Sequence, residues 1–109
     1  MLVSIRYSIY HLGPDVVEAI NEGATLESST LHFSVEAELK ERFPSIERID
    51  WDCTYDASDF RVECSNGDEY YAELIKNYTF GTVFVDHATR NLDKTGLFKE
   101  KRTLNEENY

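Results

Sequence analysis

The sequence predicts one α+β domain: an N-terminal strand, one or two short helices, then a four-stranded antiparallel β-meander with the helices packed on one face. Three observations point to it. The first residues alternate apolar and polar with a period of two; two later stretches place apolar residues at helical spacing between start and stop signals; and from Arg48 onward the period of two returns in short runs separated by turn residues. At 109 residues the chain accommodates a single hydrophobic core, because two would each be too small to offset the entropy of ordering their own segments. One acidic domain is expected over residues 1–98, with residues 99–109, KEKRTLNEENY, as a polar tail.

Val3, Ile5, Tyr7 and Ile9 alternate with Ser4, Arg6, Ser8 and Tyr10, which gives a strand from Leu2 to Tyr10 with one buried face. Gly13 and Pro14 end it. Pro14 suits a first helical position, Asp15 and Glu18 complement the positive end of the helix dipole, and a short helix from Pro14 to Glu22 follows. Val16, Val17 and Ile20 form its inward stripe, and Gly23 supplies a left-handed stop. Between Thr30 and Phe43 two periods coexist: Leu31, Phe33, Val35, Ala37 and Leu39 alternate, whereas Leu31, Val35, Leu39 and Phe43 recur every four residues. Strong helix formers dominate Glu36–Arg42, Ser34 can cap and Pro44 can stop, so a helix is predicted from Ser34 to Phe43. Ser29–Phe33 stays open between a short strand and the first turns of that helix.

Beyond Pro44, Ile49, Trp51, Cys53 and Tyr55 alternate with Arg48, Asp50, Asp52 and Thr54, then Phe60, Val62 and Cys64 with Arg61 and Glu63. The four residues DASD join these two strands. Ser65, Asn66, Gly67 and Asp68 read as a hairpin leading to a third strand from Glu69 to Lys76, and the NYTFG turn leads to a fourth from Thr82 to Asp86. A tight Asn66-Gly67 turn would put Glu69 and Glu73 on the core face. A bulge beside Gly67 pairs Cys64 with Tyr70, Val62 with Ala72 and Phe60 with Leu74, and is the expected register. Trp51 then faces inward with Ile49 and Cys53, while the opposite face carries Asp50, Asp52, Thr54, Arg61, Glu63, Tyr71 and Glu73.

Eleven basic against 21 acidic side chains leave a net charge of −10. The imbalance is concentrated in residues 1–86, with six basic and 17 acidic groups. Such a body repels nucleic acid and anionic membranes and attracts basic protein surfaces; simple solubility is the alternative use of the same charge. No run reaches the roughly 20 apolar residues of a membrane span, and the N-terminus reads as a strand rather than a leader or anchor. Cys53 and Cys64 lack zinc spacing and are expected as buried free thiols, which favours a reducing cytoplasm.

No cofactor, metal site or catalytic residue is expected. Asp50, Asp52, Asp56 and Asp59 lack the glycine and the twelfth-position glutamate of a calcium loop. Pairing of Asp52 with Glu63 or Glu73 as acid and base lacks any accompanying motif, the histidines His11, His32 and His87 are far apart, and the glycines are too isolated to cradle phosphate. The sequence FPS at Phe43–Ser45, the Asn66-Gly67 turn and HATRNLD from His87 resemble the later part of HigB-type messenger-RNA-cleaving toxins, over about half the chain. That family opens with helices and presents a basic face, whereas this chain opens with a strand and is acidic, so no catalytic residue is carried over.

The expected function is an acidic protein-binding module that inhibits or neutralises a basic protein, as an immunity, antitoxin-like, anti-defence or nucleic-acid-mimic protein does. Its expected contact residues are Asp50, Asp52, Glu63, Tyr71 and Glu73, with Tyr71 as an aromatic anchor among carboxylates that receives Arg or Lys of the partner. Two alternatives are a small RNA-cleaving enzyme, with His87 as acid or base and Arg90, Lys94, Lys99, Lys101 and Arg102 on phosphates, and a homo-oligomer assembled through a sheet edge.

Overall fold

The alternating N-terminal residues do form a strand, β1 (Leu2–Ser8), but it lies in the middle of the sheet. The computed structural model describes residues 1–93 and 97–98, so the expected tail at 99–109 lies outside the described residues. β1 pairs in parallel with β2 (Arg48–Thr54), Leu2 opposite Arg48 and Ser8 opposite Thr54. Along its other edge it pairs antiparallel with β3 (Phe60–Cys64), Val3 opposite Cys64 and Tyr7 opposite Phe60. The order is β2-β1-β3.

The expected four-stranded antiparallel meander is therefore replaced by a three-stranded mixed sheet. β2 and β3 follow each other in sequence but never pair, because β1 is inserted between them. The loop of residues 55–59 crosses two strand spacings, roughly 10 Å, which five residues reach without strain. Insertion of β1 gives its amide and carbonyl groups partners on both sides and places Val3, Ile5 and Tyr7, each at most 1% exposed, at the centre of the core.

The segment expected as the third strand is helix α3 (Glu69–Tyr78), and the expected fourth strand falls in a π-helical turn (Thr79–Val83) and the start of α4 (Phe84–Asp93). Turn chemistry explains the difference. Asn66 Oδ1 accepts from the Asp68 amide at 3.0 Å, Gly67 takes φ 71°, and Asp68 Oδ1 accepts from the Tyr71 amide at 2.9 Å. These residues suit a hairpin equally well, but here Asp68 is a helix N-cap with Glu69 in the first turn. The pairings of Cys64 with Tyr70, Val62 with Ala72 and Phe60 with Leu74 do not form; β3 pairs with β1 along one edge, and the segment that would have extended the sheet is α3.

Two helices connect β1 to β2. After a 3-10 turn at Ile9–His11, α1 spans Pro14–Asn21, with Pro14 in its first turn and Gly23 at φ 98° just beyond its end. α2 spans Ser28–Arg42, so Ser29–Phe33 are its first turns and Ser34 lies within it rather than capping it. Leu31, Val35 and Leu39 are fully buried on one stripe, which settles the choice between the two periods in favour of four.

In the π-helical turn the Thr79 hydroxyl donates to the carbonyls of Ile75 and Lys76, at 2.9 and 3.1 Å. A wider turn keeps residues four apart more nearly aligned, so Ile75, Thr79, Val83 and His87 all stay buried as α3 runs into α4.

All the helices pack on the sheet face formed by Val3, Ile5, Tyr7, Ile49 and Val62, where Leu31, Val35, Leu39, Ile75 and Phe84 complete one core cluster. Leu97 joins it, its carbonyl accepting from the Glu27 amide while Phe98 bridges Leu26. Cys53 and Cys64 are free and half-buried rather than buried, and stand opposite Tyr7 and Val3 on the two outer strands. Among the described residues no helix is long and apolar enough to cross a membrane.

Because Asp68 caps a helix, Asp68→Ala should lower stability by about 1 kcal/mol, measured by urea unfolding, and leave Tyr71 and Ala72 amides exchanging faster. Unchanged stability and unchanged exchange would show that the segment does not start a capped helix.

Candidate functional site

The sheet face away from the helices is open, and its charges fall in rows. Asp52, Arg6 and Arg61 stand side by side across the three strands, and Asp50, Ser4 and Glu63 form the next row. Arg6 Nε donates to Asp52 Oδ2 at 2.9 Å, Arg48 Nε lies 3.3 Å from Asp50 Oδ1, and Arg61 Nε lies 3.8 Å from Glu63 Oε1. Three carboxylates thus meet three guanidiniums on this face, and Arg6, Arg61, Asp50, Asp52 and Glu63 surround a shallow depression of about 220 Å³. These pairs are solvent-exposed, each worth roughly 0.2–1 kcal/mol, and together they cancel the charge of the face.

Of the five expected contact residues, the fold keeps Asp50, Asp52 and Glu63 on this one face but places β1, with Ser4 and Arg6, between them. Tyr71 and Glu73 belong to α3 instead. Tyr71 is half-buried, packed edge-to-face on Phe43 at 5.5 Å, and its hydroxyl accepts from Ser45 Oγ at 2.9 Å. It is not the exposed anchor. Helical spacing gives that position to Tyr70, 75% exposed, with exposed Leu74 one turn on and exposed Glu69 and Glu73 beside them.

The two regions are continuous. A groove of about 290 Å³ between β3 and the start of α3 is lined by Glu63, Asp68, Glu69 and Ala72, and it shares Arg61 and Glu63 with the sheet-face depression. Asp56, at the far end of the sheet, accepts from the Ser58 amide and hydroxyl at 3.0 and 2.8 Å, which holds its carboxyl below the usual range. Asp50 and Asp52 are engaged by arginines, so the four aspartates do not converge as cation ligands.

Two polar clusters inside the helix layer were not visible in the sequence. The Tyr7 hydroxyl and His32 Nε2 are hydrogen-bonded at 2.6 Å, His32 stacks on Trp51 at 4.4 Å and 5°, and Trp51 Nε1 donates to Glu36 Oε2 at 2.6 Å. Burial, and then the neighbouring Cys53, push the Tyr7 phenol well up, so it stays protonated. Burial pulls His32 down to about 4, so the ring is neutral and carries a single proton.

In the second cluster, Glu38 of α2 receives Tyr78 Oη at 2.9 Å and His87 Nε2 at 3.0 Å, while Arg90 donates to His87 Nδ1 at 3.3 Å. A guanidinium only donates, so Nδ1 accepts and Nε2 carries the proton to Glu38. His87 is 7% exposed, not a surface or turn residue, and both its ring nitrogens are occupied. Arg90 is also paired with Asp86 at 2.6 Å. Lys94, Lys99, Lys101 and Arg102 lie outside the described residues. No sequence signal announces either cluster, since the hydrogen bonds that join its elements link residues 15 to 49 positions apart.

The His32 environment sets a pH dependence. Its neutral form is favoured in the fold, whereas the unfolded chain protonates near 6.5, so this contribution to stability is complete above about pH 6.5 and is lost as pH falls toward 4. Urea midpoints should therefore drop across that window and the drop should shrink in His32→Gln. The single tryptophan, Trp51, should show an emission step near pH 4 that the same variant abolishes; a step near pH 6.5 would contradict a buried, stacked imidazole.

No family of known proteins matches the chain, and neither a curated protein nor a solved structure is significantly similar to it.

Proposed function

We propose that the chain is a small acidic binding module that docks on a basic protein and neutralises it, and that α3 with the adjoining β3 groove forms the contact surface. The observation that carries this is the pair Tyr70 and Leu74, exposed one turn apart and flanked by Glu69 and Glu73. An aromatic and an aliphatic side chain supply apolar area that is dehydrated on contact, and carboxylates beside them select Arg or Lys.

Charge partition supports the same surface. The sheet face is internally balanced, so the acidic excess of residues 1–86 resides on the helices and loops. Asp68, Glu69 and Glu73 carry this excess from the β3 groove along α3, while the basic side chain of the groove, Arg61, is already paired with Glu63. A partner that binds nucleic acid offers the complementary surface, because carboxylates can stand where phosphates would.

The test is capture by the immobilised chain from extract of its own cell, with the bound protein identified by mass spectrometry. The expected result is a basic partner released by salt. It should be lost from Glu69→Lys/Glu73→Lys, weakened about tenfold by Tyr70→Ala, and retained by Asp50→Asn/Asp52→Asn. Retention by the α3 variants, with loss from the sheet-face variant, would move the contact to the sheet; capture that no variant alters would remove the proposal.

A further inference from the structure

The end of the molecule where β1 leaves the sheet carries an apolar patch separate from α3. Tyr10 of the 3-10 turn, Phe80 of the π-helical turn and Val85 of α4 are 51, 53 and 42% exposed. The His11 ring packs on Phe60 at 5.2 Å and on Phe80 at 5.3 Å, which joins the 3-10 turn to β3 and to the π-helical turn, and the open side of Gly13 faces Val85.

Beside this patch Tyr10, Gly13, Pro14 and Val17 line a shallow groove of about 430 Å³ whose far wall is Glu18 and Asn21. The lining is mostly hydrocarbon and the rim is anionic. Asp15, Glu18 and Glu22 project from α1 and its end, and Pro14–Asn21 contains no Lys or Arg. The basic side chain of neighbouring α4, Arg90, is already engaged by Asp86 and His87.

We infer that this groove receives an apolar side chain from a basic amphipathic helix of a partner protein, while Asp15, Glu18 and Glu22 pair with Lys or Arg on the flanks of that helix. The inference rests on the proposed acidic binding function and adds a second contact on different elements. Charge selects the occupant. A second copy of this chain brings a net charge of −10 against an acidic rim, and nucleic acid presents phosphates to it. An amphipathic basic helix satisfies both the hydrocarbon floor and the carboxylate rim, with water excluded from the floor by the pairs around it. Tyr10, Pro14 and Val17 make the floor apolar, so aliphatic or aromatic anchors are preferred to alanine.

The inference is tested by titrating the full isotope-labelled chain with a helical Leu/Lys peptide of about 18 residues, and with an Ala/Lys peptide of equal length and charge. Saturable shifts are expected at Tyr10, Gly13, Val17 and Glu18, with binding of the Ala/Lys peptide at least about tenfold weaker. Tyr10→Ser and Glu18→Lys should each weaken the Leu/Lys peptide by a similar factor, and Trp51 emission verifies that both variants fold. Glu69→Lys/Glu73→Lys should leave these shifts in place. Equal binding of the two peptides, or shifts confined to α3, would overturn the groove assignment while leaving the α3 contact standing. Loss of partner capture in the α3 variants is read separately, so either contact can fail alone.

Discussion

Strand β1 hydrogen-bonds along both edges, to β2 in parallel and to β3 antiparallel, and its inward side chains Val3, Ile5 and Tyr7 are almost entirely removed from water. A central strand of this kind imposes the rest of the architecture. A parallel neighbour requires a long connection, which α1 and α2 provide, and those helices cover the face that β1 makes apolar. An antiparallel neighbour on the other edge then uses up the hydrogen-bonding capacity of β1. β3 is left with an outer margin beside which α3 packs, which ends the sheet at three strands.

Tyr7 carries this constraint into the helix layer. Its ring stacks on Phe84 at 4.9 Å and meets Trp51 edge-on at 5.9 Å, while its hydroxyl reaches His32 of α2. A buried phenol needs a hydrogen-bond partner, and His32 supplies one. Glu38, two residues beyond Glu36 on the same helix, fixes Tyr78 and His87, so α2 is tied to the sheet at one point and to α3 and α4 at another. Arg42 lies 4.7 Å from the Tyr78 ring centroid and lengthens that second tie. These bonds fix helix orientation in a way that apolar packing alone does not, because each requires one geometry.

The same packing decides where charge is available. Inserting β1 brings Arg6 beside Asp52, and with Arg48 and Arg61 it turns an acidic face into a balanced one. Unbalanced carboxylates remain on α1, on α3 and in the loops. There they adjoin exposed apolar side chains, Tyr70 and Leu74 on α3 and Tyr10 beside α1. Apolar centre and charged margin together are what a protein contact requires, since carboxylates in open water contribute attraction but little net affinity.

Local physics was legible in the sequence: β1, β2 and β3 follow from their period of two, α1 from Pro14 and Gly23, and the body of α2 from its stripe of Leu31, Val35 and Leu39. The acidity, the single core and the presence of Asp50, Asp52 and Glu63 on one sheet face were also set at that level. Partner choice was not. Alternation says which face a residue occupies but not which strand lies beside it, so nothing near Asp52 revealed Arg6, 46 residues away. The SNGD turn suits both a hairpin and a helix cap, and EYYAELIK carries both periods; tertiary structure decided for helix by burying Ile75 in the core and packing Tyr71 on Phe43 behind the Asp68 cap. That decision exchanged Tyr71 for Tyr70 at the surface, because adjacent residues point to opposite sides of a strand but lie about 100° apart on a helix.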